Sequence, residues 1–178
     1  MTKTREQSPE KRAVTLLESL KIDKAPIPVE RIAKHLGALV RYEPFEGNDD
    51  VSGMLFRDES RTVIGVNAAH APTRQRFTIA HECAHLLLHE GTMYVDARVN
   101  FRNAISGHGI DPEEIEANQF AAALLMPESV VLAALRKELK DDDTRDLSLI
   151  VDQLARTFAV SKQAMEFRLR NLGLILQD

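Results

Sequence analysis

Two histidines four residues apart, His81 and His85, with Glu82 beside the first, constrain this 178-residue chain more than any other feature it carries. On a helix, residues at that spacing lie one turn apart on one face, so both imidazoles can reach a single ion. The flanking residues supply such a helix. Pro72-Thr73 opens it, Phe77, Ala80, Ala84 and Leu87-Leu88 follow at helical spacing, and Gly91 is its expected stop. Composition alone would produce the HExxH pattern in about 2% of such chains, so it carries weight. Glu82 sits roughly 100° round the helix from His81, where its carboxylate can meet water as a base and not as a ligand. The competing reading is an amphipathic helix whose two histidines only pack or face solvent.

A catalytic metal site needs a third protein ligand and one open position. Cys83, the one cysteine, points away from both histidines by helix geometry, and its solitude also excludes intrachain disulfides and cysteine-rich zinc modules. His89 is eight residues from His81, ~12 Å along the helix, too far to share one ion; it is expected to be exposed in the last turn. The third ligand must come from another element, and the helix opening at Asp111-Pro112 offers Glu113, Glu114 and Glu116. Glu114 and Asn118 share a face that continues into the small residue Ala121, which would let two helices approach closely. Glu116 lies ~200° from Glu114 and is expected to face elsewhere. Glu114 also stands three residues after the candidate cap Asp111, so spacing alone leaves ligand and capping box level.

The rest of the chain reads as α+β: a small antiparallel β-sheet packed on the HExxH helix, with a helical C-terminal half. Ser8-Pro9 caps a first helix carrying Val14, Leu17 and Leu20, and Val29, Ile32, Ala33 and Leu36 stripe a second, stopped by Gly37. Strands are expected at 39–42, 52–57 and 62–67, the last two joined by a polar turn into an antiparallel hairpin over 54–66. Residues 91–110 show no period and hold three of the eight glycines, so they read as a functional or disordered loop. After the Asp111 helix, with Ala117, Ala121, Leu124 and Leu125 inward, Pro127 forces a break and another helix runs to about Leu139. A charged run at 140–146 separates a domain at 1–140 from a tail at 147–178, whose helices 147–158 and 161–172 flank the turn Ala159-Val160.

Residues Gln75 to His85 (QRFTIAHECAH) and Glu114 to Pro127 (EIEANQFAAALLMP) together closely resemble the ImmA/IrrE family of metallo-endopeptidases. The resemblance covers roughly residues 26–127, with a looser match in the tail. It implies that His81, His85 and Glu114 are zinc ligands, that Glu82 is the general base, and that Asn118 orients a ligand from outside the coordination sphere. It thus favours Glu114 over the capping reading. The same donor set also accepts Mn²⁺. Proteins of this family cut helix-turn-helix transcriptional repressors on mobile elements or in stress-response operons, which implies a protein substrate of that kind. The hairpin edge beside the metal helix would suit an extended peptide, unless that edge is covered.

A further donor for the transition-state oxyanion is sought among Tyr94, His108 and Arg102, each of which also has a bland reading as a packing, loop or solvated residue. The tail resembles a helix-turn-helix, which raises a rival of a different class: a DNA-binding or metal-sensing regulator without proteolytic activity. Lys162, Arg168 and Arg170 would be its basic residues. Against it, residues 147–178 hold four basic and three acidic side chains, and the whole chain has a net charge of −4. Direct DNA binding is therefore not expected. The richest apolar stretch, Phe120–Met126, is far too short to span a bilayer, and no secretory signal is read at the N-terminus, so the chain is expected to be cytoplasmic.

Overall fold

Serine and proline punctuation starts the first helix as expected. The Ser8 hydroxyl accepts from the Lys11 amide at 3.3 Å and Pro9 stands at the first helical position, opening α1 (Pro9–Ser19). The structure, a computed structural model, describes residues 7–97, 111–141 and 146–176. The inward stripe of α1 is Ala13, Leu16 and Leu17, while Val14 is 38% exposed and lies outside it. Helix α2 (Val29–His35) buries Val29, Ile32 and Ala33, and the chain turns at Gly37 with φ +85°, a conformation open to glycine.

Four strands follow in part from the sequence and in part against it. Strands β1 (Ala38–Glu43), β2 (Val51–Arg57) and β3 (Thr62–Asn67) fall where expected, and β2 pairs antiparallel with β3 through Leu55↔Ile64 and its neighbours. The order is β1-β3-β2-β4, so β3 lies between β1 and β2 and runs parallel to β1. The sheet is therefore mixed, not wholly antiparallel. An up-down-up run leaves the first and third strands in the same sense, and strand patterning does not say which of them become neighbours. The fourth strand, β4 (Met93–Ala97), lies inside the stretch read as an aperiodic loop. Met93 and Val95 are apolar yet 60% and 48% exposed, so the segment shows no inside-outside contrast; its backbone pairing with β2 makes it a strand.

Helix α3 (Pro72–Leu88) lies against β2, β3, α2 and α4 (Pro112–Leu125). Its residues 77–85 are buried without a break, so this is a core helix covered on every side, not an amphipathic one. It ends at Leu88, and His89 is already extended with φ −121° and ψ 157°. Arg57, at the end of β2, donates to the carbonyls of Gly91 (2.6 Å), Leu86 (3.2 Å) and His89, and Arg12 donates to Leu87 (3.2 Å). Two guanidinium groups thus satisfy carbonyls at the negative end of the helix.

Pro127 separates α4 from α5 (Glu128–Asp141), and α6 (Leu147–Phe158) and α7 (Lys162–Asn171) complete the chain. Ala159 turns between the last two in the left-handed region, φ 52°, and the Ser161 hydroxyl caps α7 by accepting from the Ala164 amide at 3.1 Å. Ile150, Val151, Leu154, Phe158, Met165 and Leu169 join the same buried cluster as α3 and α4. No single described helix is long and apolar enough to cross a membrane.

Candidate metal centre

Helix α3 presents both histidines on the face that meets α4. His81 and His85 are buried, at 0% and 1% exposed, and their Nε2 atoms stand 3.0 Å apart. The start of α4 is capped by Asp111, whose carboxylate accepts from the Glu113 amide at 3.0 Å. The Glu114 carboxylate reaches across instead, with Oε2 3.2 Å from His81 Nε2 and Oε1 3.2 Å from His85 Nε2. Ala117 and Ala121, both fully buried, let the two helices come this close. Glu114 is 35% exposed, so the cluster meets solvent on its side.

The charge states suit a cation. Burial pushes His85 below the usual imidazole range, which keeps a lone pair free at neutral pH. Contact with the His81 ring and then the His85 ring holds the Glu114 carboxyl well below the usual carboxylate range. Two imidazoles and one carboxylate, with one ligand atom from each lying within 4.8 Å of the others, form a donor set that fits a divalent metal ion. Asn118 Oδ1 lies 3.2 Å from His81 Nδ1. A proton on that nitrogen leaves Nε2 bare toward the cluster.

Glu82 is fully buried on the sheet side of α3, outside the three-residue cluster. Its carboxylate lies over β2 at Gly53, where an added Cβ would come within 3.3 Å of Oε1. Cys83 is buried and its thiol is pushed up by that burial and by the adjacent Glu82. It has no place in the cluster.

Tyr94 does not aim its hydroxyl at the cluster. Its ring stacks on His85 at 4.2 Å between centroids and 22° between planes, and its hydroxyl accepts from the Gly91 amide at 2.9 Å. Arg102 and His108 lie outside the described residues. Two expectations need correction. His89 is not exposed: it is 8% exposed, 3.0 Å from His85 Nδ1 through its own Nδ1, and paired with Glu116 at 3.2 Å. Its spacing of four residues from His85 is the sequence signal for this contact. The edge of the hairpin is also not free, because β4 covers β2; β4 itself is the outer strand on that side.

A family model for the IrrE N-terminal-like domain, a peptidase family, matches residues 33–170. The chain belongs to that family. Membership places this IrrE-like chain among metallopeptidases, with His/Glu groups able to hold a metal. It is 38% identical over 82 residues to the radiation response metalloprotease IrrE of Deinococcus radiodurans, a match covering 45% of this chain and 24% of that protein. It is 27% identical over 114 residues to the uncharacterized immunity region protein 2 of Bacillus phage phi105, covering 63% of this chain and 68% of that one. A Mycobacterium tuberculosis transcriptional regulator shares the fold with a TM-score of 0.57 at 18% identity, over 90% of this chain and 46% of that structure. The IrrE-like chain thus spans about a quarter of the first relative and under half of the solved structure.

Two of the tail's basic side chains are engaged within the protein. Arg168 is 6% exposed, donating to the Met126 carbonyl at 3.0 Å and pairing with Glu10 at 2.8 Å. Lys162 pairs with Asp152 at 3.1 Å and donates to Ser148 at 2.7 Å.

Proposed function

We propose that this chain is a zinc-dependent endopeptidase that cleaves a specific protein, a helix-turn-helix transcriptional repressor, and so relieves repression. The observation that carries the reading is the convergence of His81, His85 and Glu114 from two helices, with the buried carboxylate of Glu82 on the next residue of the same helix. His81, His85 and Glu114 would hold the ion, with Asn118 fixing the His81 ring. Zinc so held would supply Lewis acidity and lower the pKa of water toward 7. Glu82 takes the proton from the attacking water and returns it to the leaving amine. His81, His85 and Glu82 are buried and Glu114 is partly exposed, so substrate would approach from the Glu114 side. The outer strand β4, whose Tyr94 lies on His85, offers backbone groups for an extended segment to pair with.

A helix-turn-helix repressor is supported by the family. Docking with a folded partner would supply remote binding energy to align the scissile bond. The test is incubation of the zinc-loaded chain with candidate helix-turn-helix repressors and, separately, with casein. One or a few discrete cuts in a repressor, lost with chelator and restored by zinc, are expected, with little casein digestion. Glu82→Gln should keep zinc near wild type and slow cleavage by about 10²–10⁴-fold, since only the proton acceptor is removed. Equal zinc loss in the Glu82→Gln and His81→Ala variants, or rapid unselective digestion by the wild type, would contradict the reading.

A further inference from the structure

His85 is held from the side away from the cluster as well as from within it. Its Nδ1 is 3.0 Å from Nδ1 of His89, and His89 Nε2 is 3.2 Å from Glu116 Oε2. We propose that His89 and Glu116 are a positioning pair that fixes the tautomer and ring orientation of His85, leaving its Nε2 lone pair turned to the metal site. The inference rests on His81, His85 and Glu114 being metal ligands.

The hydrogen-bond arithmetic along this line has one solution for neutral rings. A carboxylate only accepts, so the Glu116 end requires the His89 proton on Nε2. His89 Nδ1 then has only a lone pair and must accept, so His85 carries its proton on Nδ1. His85 Nε2 is thereby bare, and it is the atom that stands 3.2 Å from Glu114 and 3.0 Å from His81 Nε2. Metal-bound histidines are generally oriented in this way through their second nitrogen, by a carboxylate or carbonyl. Here a second histidine is interposed and the carboxylate stands one ring further out.

The surroundings over-determine the geometry. Tyr94 stacks on the His85 face, and its ring centroid is 6.1 Å from that of His89. Arg57 grips the carbonyls of Leu86, His89 and Gly91, so the backbone that carries His89 is fixed just where it leaves the helix. Glu116 could not serve as a ligand to the first cluster, since its neighbour Glu114 takes that face, and its offset of two residues carries it to His89 instead. His85, His89 and Glu113 also lie close enough to raise a second ion between the two Nδ1 atoms. A neutral His85 that turns its Nε2 lone pair to the first cluster carries its proton on Nδ1, so that nitrogen has no lone pair for a second ion and donates to His89 Nδ1 instead.

The test uses the full chain stripped of metal, with zinc affinity measured against a chromophoric chelator and ligand geometry read from the visible bands of the cobalt(II)-loaded protein. Wild type should bind one equivalent, and His81→Ala should abolish binding; a wild type that binds no zinc, or a His81→Ala variant that binds it normally, would refute the metal site itself. The positioning pair is tested by its own variants. His89→Leu should weaken zinc binding by about 10–100-fold and shift the cobalt bands. His89→Asn, whose amide oxygen can stand near the lost Nδ1 and accept from His85, should recover most of the affinity and the wild-type spectrum. Glu116→Ala should weaken zinc by about tenfold, at the low end of the same range. Wild-type affinity and bands in His89→Leu would overturn the proposal. Equal losses in the Leu and Asn variants would reduce His89 to a packing residue and overturn it too. A second equivalent of zinc in the wild type, lost in His89→Leu, would replace it with a second ion. Should His89→Leu fail to fold, by circular dichroism of the metal-free chain, the half-exposed Glu116→Ala decides, and wild-type zinc affinity there overturns the proposal.

Discussion

Any side chain at position 53 would collide with Thr78 and the Gly65 carbonyl and press on the Glu82 carboxylate. A Cβ there would stand 2.2 Å from Thr78 Cγ2, 2.9 Å from the Gly65 carbonyl and 3.3 Å from Glu82 Oε1. The first two contacts are shorter than any relaxed packing allows, and one of them is with backbone. Strand β2 shows a register irregularity against β4 between Val51 and Gly53, a local break of the kind that re-aims residues beside a site. Gly53→Ala should therefore cost about 1–3 kcal/mol through overpacking, seen as a lower Tm at about 2–4 °C per kcal/mol in a chain of this size. Peptidase activity should fall further than the stability loss explains, because Glu82 must shift, while zinc content stays near one equivalent. A variant with wild-type Tm would show that β2 and α3 are not in the contact described.

Among the elements, α3 and α4 make the site and β2 anchors it through Arg57. That guanidinium joins the end of a strand to three carbonyls just beyond or within the last turn of the metal helix. Hydrogen bonds to a charged group are worth about 1.5–3 kcal/mol, and unmet carbonyls add their own cost. Arg57→Ala should lower stability by about 2–4 kcal/mol in denaturant unfolding, and Arg57→Lys should restore little, since a point charge cannot serve three separated acceptors at once. Wild-type stability in Arg57→Ala would refute the clamp. This scale also shows what the sequence made legible. The metal helix, its proline start and the face shared by His81 and His85 follow from covalent spacing and were readable. The caps at Ser8 and Asp111 were readable for the same reason. Strand β4 was hidden because Met93 and Val95 are apolar and outward, so its identity rests on pairing with a distant segment. His89 was hidden because its partner Glu116 belongs to another helix, and Glu114 needed more than spacing to be separated from a cap.

For the whole molecule, one buried cluster runs from Leu17 of α1 through Ile79 and Leu124 to Phe158 and Leu169 of the tail. Arg168 ties α7 to Met126 and to Glu10 of α1, and Arg76 of α3 donates to the Ala159 carbonyl at 3.1 Å and the Ile27 carbonyl at 2.8 Å. Unfolding followed by circular dichroism and by calorimetry should accordingly show one transition, and deletion of 147–178 should abolish it instead of leaving a stable remainder. A truncated chain with a sharp melt would show that the tail only docks. The proposed chemistry depends above all on an open His₂Glu centre that excludes the neighbouring thiol. The zinc X-ray absorption spectrum of the loaded chain tests this directly. The prediction is a first shell of nitrogen and oxygen only, near 2.0–2.1 Å, with two imidazole scattering patterns and no sulfur. A zinc–sulfur distance near 2.3 Å, or a third imidazole, would contradict it.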